Sequence, residues 1–113
     1  MGVRMAKYDE ELYRLKAELC KTFADPRRLM IISELREGEK SVGDLTAALE
    51  APQALISRHL AVLRNKGIVT TRRNGVNIYY SLTNPHIVDA CDIVHGVLLD
   101  QVARNKVLAD KFL

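Results

Sequence analysis

Few side chains in this 113-residue chain could do covalent or metal chemistry. They are two cysteines, Cys20 and Cys91, and three histidines, His59, His86 and His95. The cysteines stand 71 positions apart, which fits neither a disulfide framework nor a zinc finger. Two readings stay open for them, thiol chemistry and plain packing. His95 lies four residues after Cys91, on the same face of a helix, where a third ligand would stand. His86, His95 and Asp100 are the remaining candidates for an unlinked metal site. Ser57 and His59 are two apart on a predicted helix and do not share a face, so they do not make a nucleophile–base pair. With no phosphate loop, no Cys-x-x-Cys and no complete ligand set, a redox or metal enzyme is not expected.

Arginine carries the stronger signal. Residues 1–50 hold nine Lys or Arg and ten Asp or Glu, and residues 89–113 hold three and four. Between Ala51 and Val88 stand Arg58, Arg64, Lys66, Arg72 and Arg73 and no acid at all. Ordinary surfaces mix signs; a purely cationic third of a chain is the footprint of a face that meets a polyanion.

The elements that must position those cations follow from punctuation and periodicity. Tyr8–Ala24 is predicted as a helix with Leu12, Leu15, Leu19 and Phe23 on one stripe. Asp25-Pro26 caps the next helix, with Leu29, Ile32 and Leu35 inward and Gly38 as its stop. Ser41 and Asp44 form a capping-box pattern before a short helix with Leu45, Ala48 and Leu49 inward. Pro52 opens a fourth helix that ends at Lys66-Gly67. Ile56, Leu60 and Leu63 fall on its inner face, and Gln53, Ala54, Ser57, Arg58 and Ala61 on the other. Val69–Arg73 and Val76–Tyr80 flank Asn74-Gly75, the favoured pair for a two-residue hairpin turn. After Asn84-Pro85, His86–Phe112 reads as one last helix, with Ile87, Cys91, Val94 and Leu98 on its stripe and Val102 and Leu108 roughly continuing it.

The expected fold is therefore mainly α with a small β-hairpin wing, in a single domain over residues 1–113. The helix-turn-helix occupies about 41–66 and the wing about 68–82. The second helix of such a motif enters the DNA major groove and presents its first turns to base edges. The wing, with Arg72, Arg73, Asn74 and Asn77, places guanidinium groups beside phosphates. Six aromatic residues, none of them Trp, are too few for a base-stacking platform. No apolar run approaches the roughly 20 residues that cross a bilayer, and Met1–Tyr8 lacks the apolar segment of a secretory signal. No membrane partner and a reducing cytoplasm are expected.

The sequence resembles the ArsR/SmtB family of small dimeric winged-helix repressors over about residues 12–100. The resemblance rests on Phe23-Ala24-Asp25-Pro26-Arg27-Arg28-Leu29, Ser41-Val42-Gly43-Asp44-Leu45 and Tyr79-Tyr80-Ser81-Leu82. Most specific are Ser57-Arg58-His59-Leu60-Ala61-Val62-Leu63-Arg64 and Lys66-Gly67-Ile68-Val69. It implies that Gln53, Ser57, Arg58 and His59 contact double-stranded operator DNA while the basic wing touches its backbone. The residue-level alternative for His59 is packing at the helix–wing boundary. Where the family has Gly-Leu-Ser-Gln-Ser-Thr, this chain has Glu50-Ala51-Pro52-Gln53-Ala54-Leu55. Ala54 still has the size to touch a thymine methyl, and Leu55 reads as packing.

A small domain has little to cover the apolar stripes of helices 8–24 and 86–112, so these are expected to pair with a second copy. The resemblance implies the same homodimer, with two recognition helices reading a palindrome. It also implies an effector. The family's Cys-x-Cys metal site is absent from Ser41–Leu45. Its last-helix zinc site maps onto Asn84, His86, Val97 and Asp100, an incomplete set because Val97 cannot bind a metal. Family members also use helix cysteines to bind As(III) or Sb(III), or to sense persulfide or oxidants. Cys20 and Cys91 are the corresponding thiol candidates here, and a repressor without a bound cofactor is the alternative. Two other functions stand against the thiol-released repressor. One is a metal-responsive repressor with a non-standard site, and the other a winged-helix protein–protein module without an inducer.

Overall fold

The computed structural model describes residues 7–113. The expectation about a secretory signal rests mostly on residues 1–6, which lie outside the described residues. In chain order the elements are α1 (Glu10–Thr22), α2 (Pro26–Leu35), β1 (Lys40–Ser41), α3 (Val42–Leu49), α4 (Gln53–Asn65), β2 (Val69–Asn74), β3 (Asn77–Leu82), α5 (His86–Ala103) and α6 (Lys106–Phe112). Helices α2, α3 and α4 pack around Ile31, Ile32, Leu35, Leu45, Ile56, Leu60 and Leu63, and Ile68 and Val69 close the core from the sheet side.

The caps read from the sequence form as expected. The Asp25 carboxylate accepts from the N–H groups of Arg27 and Arg28, with Pro26 in the first turn. Ser41 and Asp44 make the reciprocal box: the Asp44 N–H donates to Ser41 Oγ at 3.1 Å and the Ser41 N–H to Asp44 Oδ2 at 3.0 Å. Each exchange satisfies a donor that a helix start otherwise leaves unpaired.

Five details differ from the sequence reading. Leu29 is exposed and Ile31 takes its place in the core. Ala48, expected inward beside Leu45 and Leu49, is exposed. The hairpin turn sits one residue later. Asn74 pairs with Asn77, so Gly75 and Val76 are the central residues, and only Gly75 takes positive φ (+65°). Asn-Gly as the central pair needs positive φ at both residues, whereas a turn with glycine first needs it at one. A two-residue strand, β1, joins the hairpin on the β3 side, so the sheet order is β1-β3-β2. Lastly, the helix expected over 86–112 is two helices. Asn105 is extended (φ −108°, ψ 110°) and its side chain accepts from the Leu108 N–H, capping α6. Asparagine prefers that local bond to a helix interior, and the reversal buries Val102.

Helices α1 and α5 reach beyond this body. Phe23, Ile87 and Cys91 rest on the core, but Leu12, Leu15 and Leu19 of α1 and Ile93, Val94, Val97 and Leu98 of α5 lie exposed. The radius of gyration is 17.6 Å, against about 13 Å for a compact domain of this length.

Candidate nucleic-acid interface

The turn from α3 to α4 sets the site. Glu50 ends α3 in the left-handed region (φ 50°, ψ 46°), and Pro52, extended at ψ 138°, starts α4. That reversal buries Ile56, Leu60 and Leu63 and leaves Gln53, Ala54, Ser57, Arg58, Ala61 and Arg64 exposed in a stripe along the opposite face. Leu55 is half-buried, as packing requires. Beside the stripe runs an open groove lined by Ser57, Ala61, Arg64, Asn65 and Tyr80. The outer face of α4 and the sheet thus share one surface.

The cations on that surface are not equivalent. Among the described residues, Arg58, Arg64 and Arg73 have no ion-pair or side-chain hydrogen-bond partner. Arg72 does. Its Nε donates to Glu39 Oε2 at 3.1 Å and its Nη2 to Oε1 at 2.5 Å. Its guanidinium also lies 5.0 Å from the Tyr79 ring centre, a cation–π arrangement. The two hydrogen bonds hold the Glu39 carboxyl below its ordinary range and push the Arg72 guanidinium further up. Asn74 and Asn77 stand exposed at the end of the wing.

His59 is placed apart from the other expected DNA contacts. Its side chain is only 12% exposed and points to the start of α2, with Nε2 3.8 Å from Asp25 Oδ1 and Nδ1 3.5 Å from an Arg28 Nη. Arg28 Nε in turn donates to the Thr22 carbonyl at 2.7 Å, tying the end of α1 to this cluster. Burial opposes ionisation of Asp25. The N–H groups of Arg28 and Arg27, and the neighbouring His59 and Arg28, nonetheless hold it below its ordinary value. Positions 56, 59, 60 and 63 share a helical face, so the periodicity that marked the core also marked His59 as inward.

Both cysteines are free thiols, Cys20 exposed on α1 and Cys91 half-buried on α5. Burial pushes the Cys91 thiol up; Arg36 opposes that and Asp92 adds to it. Among the described residues no three His, Cys, Asp or Glu side chains gather as metal ligands, and His86, His95 and Asp100 are spread along α5. Glu39 is the residue of this surface that sequence reading missed. It lies outside the acid-free block in the chain, and only the pairing of β1 with β3 carries it there.

Comparison with known proteins agrees with this geometry. The profile of the family described as bacterial regulatory protein, arsR family, matches residues 25–71. The uncharacterized HTH-type transcriptional regulator Rv0081 of Mycobacterium tuberculosis is 39% identical over 99 residues, covering 83% of this chain and 87% of that protein. Its crystal structure has a TM-score of 0.74 at 36% identity over 93% of this chain and 100% of that one. The biofilm growth-associated repressor of Xylella fastidiosa is 40% identical over 85 residues, 75% of each protein. Mb0332 of Mycobacterium bovis was solved in solution as a homodimeric winged helix-turn-helix DNA-binding domain. It has a TM-score of 0.74 at 26% identity over 87% of this chain and 90% of that one.

Proposed function

The chain belongs to the ArsR family of bacterial transcriptional regulators, DNA-binding proteins rather than enzymes, and on that premise we propose that it is a homodimeric cytoplasmic repressor of a palindromic operator. The observation that carries the proposal is the outer face of α4. It presents Gln53, Ala54, Ser57 and unpaired Arg58 beside a cationic wing, with no carboxylate on the helix. Gln53, Ser57 and Arg58 have the donors and acceptors that read base edges, and Arg73, with Asn74 and Asn77, sits where a backbone phosphate would pass. Support for the homodimer comes from the exposed leucine and valine stripes of α1 and α5. The homodimeric state in which Mb0332 was solved adds to it. Two copies place two recognition helices on successive major grooves, about 34 Å apart.

Release from the operator is assigned to thiol chemistry at Cys20 and Cys91, through a metalloid such as As(III), a persulfide or an oxidant. What supports this is their place on α1 and α5, the two helices whose apolar faces need a partner. A modification there changes how the copies sit, and a coupling of about 1–3 kcal/mol suffices to weaken repression.

Duplex binding of the reduced, oxidised, polysulfide-treated and arsenite-treated protein tests both parts. Wild type binds double-stranded DNA as a dimer, with an affinity that falls steeply with salt. Arg58→Ala costs discrimination between sequences by about 1–3 kcal/mol. Cys20→Ser or Cys91→Ser removes the response and keeps the binding; an unchanged response in both variants rules out the thiol route. Absence of binding to any duplex at low ionic strength overturns the whole reading.

A further inference from the structure

From the Arg72–Glu39 fork we infer that Glu39 is an affinity-setting residue for DNA, an internal anion that occupies the wing arginine until a phosphate replaces it. The inference rests on the DNA-binding reading above and goes beyond it by giving a carboxylate a role at a surface that the sequence alone makes purely cationic.

The geometry is specific. In the three-stranded sheet Tyr79 is the register partner of Arg72 on one side and of Ser41 on the other. Arg72 therefore reaches across β3, over the Tyr79 ring, to the residue that immediately precedes β1. There both carboxylate oxygens take a guanidinium N–H. A carboxylate fork and a phosphate present the same paired acceptors to arginine, so one excludes the other from that edge of the guanidinium. Both partners stay about half exposed, 54% for the Arg72 side chain and 40% for Glu39. An exposed pair of this kind is weak enough to exchange. Arg73, the next residue on the strand, has no such partner among the described residues. The wing thus holds one committed and one free guanidinium.

Exchange has a thermodynamic signature. The salt dependence of binding counts the phosphates that the protein neutralises. An arginine already neutralised by its own carboxylate drops out of that count. Glu39 accordingly lowers both the affinity and the steepness with which salt abolishes it, for all sequences alike, because the wing meets the backbone and not the bases.

The test uses the full chain and a mixed-sequence duplex of roughly three helical turns, titrated by fluorescence anisotropy at several salt concentrations. Glu39→Gln tightens binding about two- to fivefold, in line with the worth of an exposed pair. It steepens the log–log salt slope by about 0.9, one phosphate's share. In the Arg72→Ala background the same substitution does neither. Glu37→Gln removes an equal charge two residues away, from a carboxylate that faces Lys40 at 3.7 Å, and leaves both quantities unchanged. Carbon-13 NMR without DNA checks the fork itself: the Glu39 carboxyl titrates at lower pH in wild type than in Arg72→Ala. If Glu39→Gln weakens binding, the carboxylate preorganises Arg72 and the inference is reversed. An equal gain from Glu37→Gln shows a general charge effect and overturns it too, as does a Glu39 titration that ignores Arg72. If wild type binds no duplex at all, the DNA-binding reading fails first, a result separate from any of these.

Discussion

The body of the molecule and its two outer helices are built from the same kinds of side chain and have opposite fates. In the body, Ile31, Leu45, Ile56, Leu60 and Leu63 are fully buried. On α1 and α5, leucines and valines at equally regular spacing stay exposed, Leu15 at 63% and Val94 at 67%. Hydrophobic periodicity therefore says which face of a helix must be covered, not what covers it. The body folds around itself. The outer helices carry a stripe that one chain leaves uncovered and that the proposed homodimer would cover; one chain is flat in outline, 55 × 47 × 22 Å.

The largest effect expected from this contrast is in the body. Leu60→Ala removes a fully buried side chain that α4 contributes to the core and leaves a cavity. Chemical denaturation will register a loss of about 2–5 kcal/mol. An intrinsic loss of this kind appears at every protein concentration. A cost well below that range means the body is looser than its burial indicates.

Next is the outer stripe. Leu98→Asp places a charge on an exposed position of α5, where a single chain tolerates it and an apolar dimer seam does not. Sedimentation is expected to turn from dimer to monomer. Affinity for a two-half-site duplex falls about a hundredfold, since the half-sites are no longer linked. A variant that stays dimeric places the seam elsewhere and breaks the contrast.

Much of this was legible in the sequence because it is local. Caps at Asp25 and Ser41, the inner face of α4, and the hairpin over residues 69–82 depend on neighbours three or four residues apart, or on a turn. What was missed depends on distant pairing. Nothing near residue 40 announces a strand, since two residues carry no periodicity; β1 exists because β3 offers it an edge. The fork between Glu39 and Arg72 follows from that edge. The break at Asn105 was legible in principle, as a capping residue inside a helical pattern, but the apolar stripe continuing to Leu108 hid it. At the candidate interface, the exposed stripe of Gln53, Ser57 and Arg58 follows from periodicity. His59 was grouped with them through the resemblance to the family, and the same periodicity turns it inward to Asp25.

Smaller effects sharpen the account of the turn that aims α4. Ser41→Ala removes one half of the capping box and is expected to cost about 1 kcal/mol by thermal or chemical unfolding. Glu50→Gly acts in the opposite direction. Glu50 is the non-glycine residue with positive φ among the described residues, a conformation that costs an L-residue roughly 1–2 kcal/mol and glycine very little. Part of that gain is lost to the extra freedom of glycine in the unfolded chain. A net stabilisation of about 0.5–1 kcal/mol is expected, and a destabilisation means the Glu50 side chain has a role beyond the turn.

The smallest effect is a difference in acid response between the wing and the outer helices. Glu39 is held below its ordinary pKa first by the Arg72 side chain, and Asp44 first by the Ser41 N–H. For a carboxyl depressed in the folded state, the unfolded chain takes up its proton first as pH falls. Its contribution is therefore complete above the unfolded value, about 4, and disappears as pH drops through the lower folded value. Stability should decline with acid in that window, and Glu39→Gln should make the decline shallower. On α5, Asp92 is depressed in the same sense by its hydrogen bonds from Arg36, but that pair ties an outer helix to the body at the end of α2. Asp92→Asn is accordingly expected to shift the acid response of dimer assembly as well as that of unfolding, whereas Glu39→Gln shifts unfolding alone. Sedimentation and denaturation measured side by side from neutral pH down to about pH 3 separate the two, and equal behaviour of the two variants in both measurements would place Glu39 and Asp92 in one cooperative unit.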